Sequence, residues 1–279
     1  MRFKDSQTGA AALETALVLP VLIALLLGVV QLTLLAHAKL MTEYAAFCAA
    51  RAGIVWSGSN ERMRNAALLA LLPTQGRTDD LQNLGESLLH QEWTDRNFRR
   101  LPWGGEVPSE VNGAPLNGLV RVDVLHPTGG SFDAVARESG SSRALEEVDF
   151  DRVEQSATRR AGVLKVRVRY WYELRVPLAN WLIFVSWYAT NAAVRVTGAL
   201  HESQLASGGG APGIAHRDGY PTATGSEMAV LWKLATGHLI VPGLATRRFF
   251  LPVTASYSLS MQSNFYRKWL MHSASAGDE

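Results

Sequence analysis

The feature that most limits this chain is an uncharged apolar run close to its N-terminus. From Thr15 to Ala38 there is no Asp, Glu, Lys or Arg, and Ala16 to Val30 is apolar throughout before Gln31 and Thr33 dilute it. Taken from Thr15 to Ala36, the run holds 22 residues, about 33 Å of α-helix against the roughly 30 Å of hydrocarbon that a bilayer presents. It predicts one membrane-spanning helix. Pro20 falls inside it, removes a backbone donor and predicts a kink, which membrane helices tolerate where neighbours satisfy the freed carbonyl.

The helical pattern continues past the membrane edge. Leu40, Tyr44, Phe47 and Cys48 recur at three- and four-residue steps, and neither Gly nor Pro interrupts the chain before Gly53. One long helix, half in lipid and half out, accounts for residues 10–56. A cleavable secretory signal is the competing reading, since Arg2 and Lys4 make a basic start and Ala36-His37-Ala38 has the A-x-A form, which would leave Lys39 as the new N-terminus. The apolar core of such signals is about 7–15 residues, shorter than this run.

At the junction of basic start and apolar run the sequence reads Gly9-Ala10-Ala11-Ala12-Leu13-Glu14. A glycine offers a peptidase close approach to the backbone, and small residues after it leave the helix start uncrowded. This pattern resembles the cleavage site of type IV prepilins and pseudopilins, and Gly9 to Pro20 is most similar to the TadE-like family of tight-adherence (Flp) pilus assembly. The resemblance implies a leader of residues 1–9, cut by a prepilin peptidase after Gly9, with Ala10 as the new amine and Glu14 as its fifth residue. Thr15 stands where Flp-type pilins carry Phe or Tyr. A carboxylate in lipid costs about 2.5–3.5 kcal/mol on insertion scales unless a cation pairs with it. The Ala10 amine of a neighbouring subunit is a candidate for that cation. A plainer role for Glu14 is that of an acidic residue favoured by a helix N-terminal dipole.

Charge counting does not orient the span: Arg2 and Lys4 face Lys39 and Arg51 across it, with Asp5 and Glu43 offsetting each side. A cytoplasmic cut places the N-terminus inside and the rest of the chain in the periplasm. The full chain of 279 residues carries 27 basic and 25 acidic residues, a net +2, which gives no polyanion-binding footprint and argues against nucleic acid. Cys48 is the single cysteine. It reads as a small packed hydrophobe, with an intersubunit disulfide as the alternative.

The remainder, 57–279, predicts an extracytoplasmic α+β domain. Ser57-Gly58-Ser59-Asn60 makes a turn before a helix over about Glu61–Leu72 that Pro73 ends, and a second helix spans about Asp79–Trp93. Leu68, Leu69 and Leu72, and Leu81, Leu84 and Leu88, form their core-facing stripes. Alternation from Leu164 to Val176, at Val120, Val122 and Val124, at Val194 and Val196, and from Val253 to Met261 predicts four strands of a mainly antiparallel sheet, each with one buried and one solvated face. Strands that follow helices favour α+β, with the sheet packed on the outer half of the long helix. Arg143–Arg160 reads as a surface helix, and 203–226, with its Gly-rich centre, as a flexible loop. Val176–Val194 is uncharged over 19 residues, but its densest part, Leu178–Ala189, is too short to span a bilayer and reads as a buried or interfacial segment.

Catalytic chemistry finds no foothold in the sequence. The G-x-G-x-x-G at Gly208–Gly213 contains Pro212 and opens no helix for a pyrophosphate, and phosphate-loop, nucleophile-elbow and zincin motifs do not occur. His201 with Glu202, and His216 with Asp218, read as surface residues. No cofactor or metal is expected. The expected protein is a noncatalytic, minor pseudopilin-like subunit of the bacterial inner membrane that contacts lipid, other pilins, the assembly platform and the prepilin peptidase, with no small-molecule substrate. A signal-anchored or secreted envelope protein, a binding module or an enzyme, is the alternative.

Overall fold

The computed structural model describes residues 7–101, 110–111, 114–115, 118–151, 156–206, 225–238 and 247–270. Helix α1 runs from Gln7 to Val55, 49 residues without a break, and carries Pro20 within it. A turn follows in which Ser57 and Gly58 take positive φ, 55° and 78°. A Cβ at Gly58 would run into the Phe265 ring, so glycine is required there for both conformation and space. Next come α2 (Asn60–Leu71), a 3₁₀ turn with Pro73, and α3 (Leu81–Arg99), whose first free N–H, that of Leu81, is accepted by the Asp80 carboxylate. Strands β1 (Glu110–Val111) and β2 (Ala114–Pro115) form a short antiparallel ribbon.

Strand β3 (Val120–His126) leads to α4 (Gly129–Ser139), which a reciprocal Thr128–Ser131 capping box opens and Gly140 closes in the left-handed conformation. Then follow a 3₁₀ turn at Ser142–Leu145, β4 (Glu147–Val148), α5 (Ser156–Ala161), β5 (Val163–Glu173), α6 (Ala179–Ala206), α7 (Gly225–Thr236), β6 (Phe250–Ser260), β7 (Phe265–Tyr266) and a last 3₁₀ turn. The main sheet has the order β3-β5-β6, with β3 and β5 antiparallel in a register that sets Val120 opposite Tyr170 and Val124 opposite Val166. Strands β4 and β7 pair separately, also antiparallel. A long apolar N-terminal helix followed by helices and an antiparallel sheet is the expected α+β class.

The chain divides into two compact units. One comprises His37–Tyr172, Thr222–Arg247 and Pro252–Glu279. Its sheet packs on the outer half of α1 through a face of small residues: Ala38, Thr42, Ala45, Ala46, Ala49, Ala50 and Gly53 are all buried. A Cβ on Gly53 would lie 2.5 Å from Leu164 Cδ2. Lys39 Nζ donates to the Thr254 carbonyl at 2.6 Å, Phe47 meets Tyr257 edge-on at 5.2 Å, and the Ile54 carbonyl accepts from Ser263 Oγ at 2.8 Å. The larger residues of the sequence pattern lie elsewhere, with Leu40 and Tyr44 exposed and Phe47 and Cys48 half-buried.

In β5 the expected alternation holds from Val163 to Arg167 and then stops, because Arg169 and Trp171 are buried as well. Helix α7 covers that face. Arg169 makes a bidentate pair with Glu227, 2.7 and 3.1 Å, and lies 4.9 Å over the Trp171 ring.

The leucine stripes of α2 and α3 are corrected. Leu69 and Leu88 are exposed, Leu81 is 83% exposed, and only Leu72 of the six is buried. Met63, Ala67, Ala70 and Leu71 carry the inner face of α2, while α3 buries Ser87, Gln91, Thr94, Asp95, Asn97 and Phe98. The polar groups are tolerated because they are bonded: Asp95 pairs with Arg64 at 2.6 Å and accepts from Leu119 N, and Gln91 donates to the Leu68 carbonyl.

Two further expectations are overturned. Val194 and Val196 lie in α6 and not in a strand, since the helix begun at Ala179 continues through them. Arg143–Arg160 is not one helix but a 3₁₀ turn, a two-residue strand and a six-residue helix, because β4 is drawn into pairing with β7. Of the loop expected at 203–226, residues 203–206 end α6 and Gly225 and Ser226 begin α7; 207–224 lie outside the described residues.

The other unit comprises Met1–Ala36, Glu173–Pro221 and Arg248–Leu251. Within it the Gln31 side chain is fully buried and its Oε1 accepts from Val176 N at 2.9 Å. Leu174 N donates to the Phe249 carbonyl, Glu173 pairs with Arg248 at 3.1 Å, and Phe184 of α6 packs edge-on against Phe249 at 5.5 Å.

Candidate functional site

The site to be explained is the exposed half of α1. Leu13, Leu17, Val21, Leu22, Leu25, Leu26 and Val29 are all more than half exposed, and from Leu13 to Ala36 the one buried residue is Gln31. Each such side chain forgoes about 1.5–3 kcal/mol of burial when left in water. A helix apolar all round is stable only in lipid or among other apolar helices. It is the single described helix long and apolar enough to cross a membrane. The charge-free segment Val176–Val194, by contrast, forms part of α6, does not qualify as a span, and is not a core segment either, as Ala179 and Phe184 are its only buried residues from 177 to 193.

At the N-terminal end of α1, the backbone of Gly9, Ala10 and Glu14 is already helical, and the Glu14 side chain is exposed. The three residues therefore share one helix turn region at the start of the apolar surface. Pro20 is accommodated without ending the helix. Residues 1–6, with Arg2 and Lys4, lie outside the described residues.

Other chemistry-bearing residues are engaged structurally. No group of three His, Cys, Asp or Glu able to hold a metal occurs among the described residues. A concavity lined by Ser139, Ser141, Arg143, Glu147 and Asn264 is laced by its own contacts, with Asn264 Nδ2 donating to Glu147 at 2.6 Å and Arg143 3.5 Å from the same carboxylate. Glu138 accepts from Ser156 N and Ala157 N, and these backbone bonds, that of Ala157 foremost, hold its carboxyl below the usual range. Burial, with Lys165 second, lowers the His126 imidazole. His201 and Glu202 fall within helix α6, and His216, Asp218 and the Gly208–Gly213 run lie outside the described residues. Cys48 is a free, half-buried thiol. A hydrogen bond with Cys48 raises the phenol pKa of Tyr44, one turn before it.

Two features escaped the sequence pattern. Gln31 reads as a dilution of the apolar run, yet it is the residue that ties this helix to the segment leading into α6. The signal was there as a lone amide in an otherwise aliphatic stretch, where a polar group needs a partner. The second is the run of alanines from Ala38 to Ala50, spaced three and four apart, which marks a close-packed face as clearly as leucines mark a broad one.

An apolar helix exposed over most of its first half and prolonged into the core of an α+β domain fits a single-pass, membrane-anchored protein. Residues 9–51 of this helix match the family model described as TadE-like protein. The expected resemblance is therefore shown over that segment, and it suggests a Tad pilus-associated protein. No curated protein and no solved structure matches the chain.

Proposed function

We propose that this protein is a minor pseudopilin-like subunit in assembly of a tight-adherence pilus, structural and not catalytic. The observation that carries the reading is the coincidence of the TadE-like match, residues 9–51, with a helix whose first half is exposed and apolar and whose second half is built into a folded domain. Such a helix satisfies the same surface with lipid before assembly and with neighbouring helices afterwards, so transfer into a fibre requires no covalent work by this chain.

In this reading Gly9 is the scissile-bond residue, Ala10 the new amine, and Glu14 the recognition and pairing group. The protein sits in the bacterial inner membrane with its N-terminus in the cytoplasm and its larger unit in the periplasm. Its partners are lipid, other pilins and pseudopilins, the assembly platform and the prepilin peptidase. The continuity of α1 past Ala38, which is packed into the domain, supports reading the helix as retained.

N-terminal sequencing of the native protein tests the processing directly. Ala10 at the terminus supports the reading, whereas Met1 leaves a plain signal anchor and Lys39 a secreted protein. Glu14→Ala is expected to leave membrane insertion intact and to abolish pilus assembly. Normal fibre production in that variant would remove the pairing role.

A further inference from the structure

Helix α6 presents an apolar face that nothing among the described residues covers. Leu178, Trp181 and Leu182 are 60, 54 and 50% exposed, Ala189 and Ala193 are exposed, and Val185 is half-exposed. Trp181, Leu182, Val185, Ala189 and Ala193 fall along one side of the helix, and Leu178 stands just before its first residue. The opposite side is apolar too, with Phe184 buried against Phe249. From Pro177 to Ala193 there is no charge, while Arg175 and Arg195 stand just outside this stretch.

The depth of this helix is set by the membrane span of its own unit. Gln31 Oε1 accepts from Val176 N, three residues before α6 begins. Gln31 lies five residues inside Ala36, the outer end of the span, which places it about 7.5 Å within the hydrocarbon boundary at helical rise. The leaflet is roughly 15 Å deep. The backbone at Val176 is thus held at the level of the acyl chains, where an N–H without an acceptor is costly and the Gln31 amide supplies one.

The polar residues of α6 fit that setting. Asn180 Oδ1 accepts from Trp181 N at 2.7 Å, Thr190 Oγ1 donates to the Ser186 carbonyl at 2.8 Å, and Asn191 Nδ2 donates to the Trp187 carbonyl at 2.9 Å. Their side chains bond back to their own backbone, as they do in a membrane. Trp181, Trp187 and Tyr188 are the residue types that gather where headgroups meet hydrocarbon.

We infer that the charge-free half of α6, Ala179–Ala193, is a second lipid contact: an interfacial helix embedded in the leaflet from which the rest of the chain emerges, laid there by the Gln31–Val176 bond. The inference rests on α1 being a membrane span, and the test separates the two.

The full chain, with Cys48→Ala to remove the native thiol, is reconstituted into liposomes of phosphatidylethanolamine and phosphatidylglycerol. A nitroxide is attached at one of three exposed positions, Leu22→Cys in the span, Leu182→Cys on α6 or Gln82→Cys on α3. Accessibility to oxygen, which concentrates in lipid, is compared with that to a water-soluble nickel chelate. The expected oxygen-to-nickel ratio at position 182 is several-fold above that at 82 and close to that at 22. A lipid-like ratio at 22 with a water-like ratio at 182, or with exclusion of both probes there, overturns the interfacial helix and leaves the span standing. A water-like ratio at 22 overturns the span, and the inference with it.

Discussion

Asp95 shows how a single residue holds this fold together where no leucine does. Its buried carboxylate pairs with the buried Arg64 at 2.6 Å, lies 3.2 Å from the exposed Arg99 and accepts from Leu119 N. Asp95→Ala would strand the buried Arg64 charge, and losing one partner of a buried pair costs roughly 3–5 kcal/mol. The midpoint of urea unfolding is expected to fall accordingly, and Asp95→Asn, which keeps an acceptor for Leu119, to lie between. His126 sets a pH dependence. Burial, and then Lys165, depress its pKa below the usual 6.5, so the folded protein favours the neutral ring. That contribution is fully present above about pH 6.5, the unfolded value, and is lost as pH falls through it toward the lower folded pKa. Between about pH 7 and pH 5, stability of His126→Gln is expected to decline less than that of the parent, as urea midpoints at the two pH values would show.

Among the elements, α1 was legible in its existence and length but not in its orientation on the sheet. The absence of charge from Thr15 to Ala38 and the lack of Gly or Pro between Lys39 and Gly53 define the helix, and these are local properties. Which face packs inward depends on how close the partner comes. Here the approach is close enough to put Leu164 against Gly53, so alanines go inward and Leu40 and Tyr44 outward. Ala49→Leu is therefore expected to destabilise the domain by about 1–3 kcal/mol through overpacking, while Leu40→Ser leaves the thermal midpoint unchanged. The same reasoning explains α3, whose inner face is polar because Arg64, Leu68 and Leu119 offer it hydrogen bonds. It also explains Val194 and Val196, where two alternating valines were too few to outweigh the helix already running from Ala179. In β5 a covering helix, invisible to a two-residue period, hides Arg169 and Trp171. The junction at Gly9, Ala10 and Glu14 was legible only as a motif; the side chain that reaches the start of α6 is Gln31, and no motif names it.

At the scale of the whole molecule, one chain meets two solvents. The N-terminal half of α1 leaves its aliphatic side chains uncovered, and the outer half, from Ala38, closes on a sheet with its own core. Leu22→Arg places a charge near the middle of the span and is expected to weaken integration by about 2.5–3.5 kcal/mol. Alkaline carbonate extraction would then release the variant from membranes that retain the parent, with the unfolding midpoint of the folded domain unaltered.

The alanine-lined contact between α1 and the sheet has one more consequence. Because the inward positions from Ala38 to Gly53 hold almost no side-chain bulk, the domain's own side chains come close to the stem, as Leu164 and Met63 do at Gly53. A stem seated this way constrains size on its inner side and leaves the outward positions, Leu40 and Tyr44 among them, free to change.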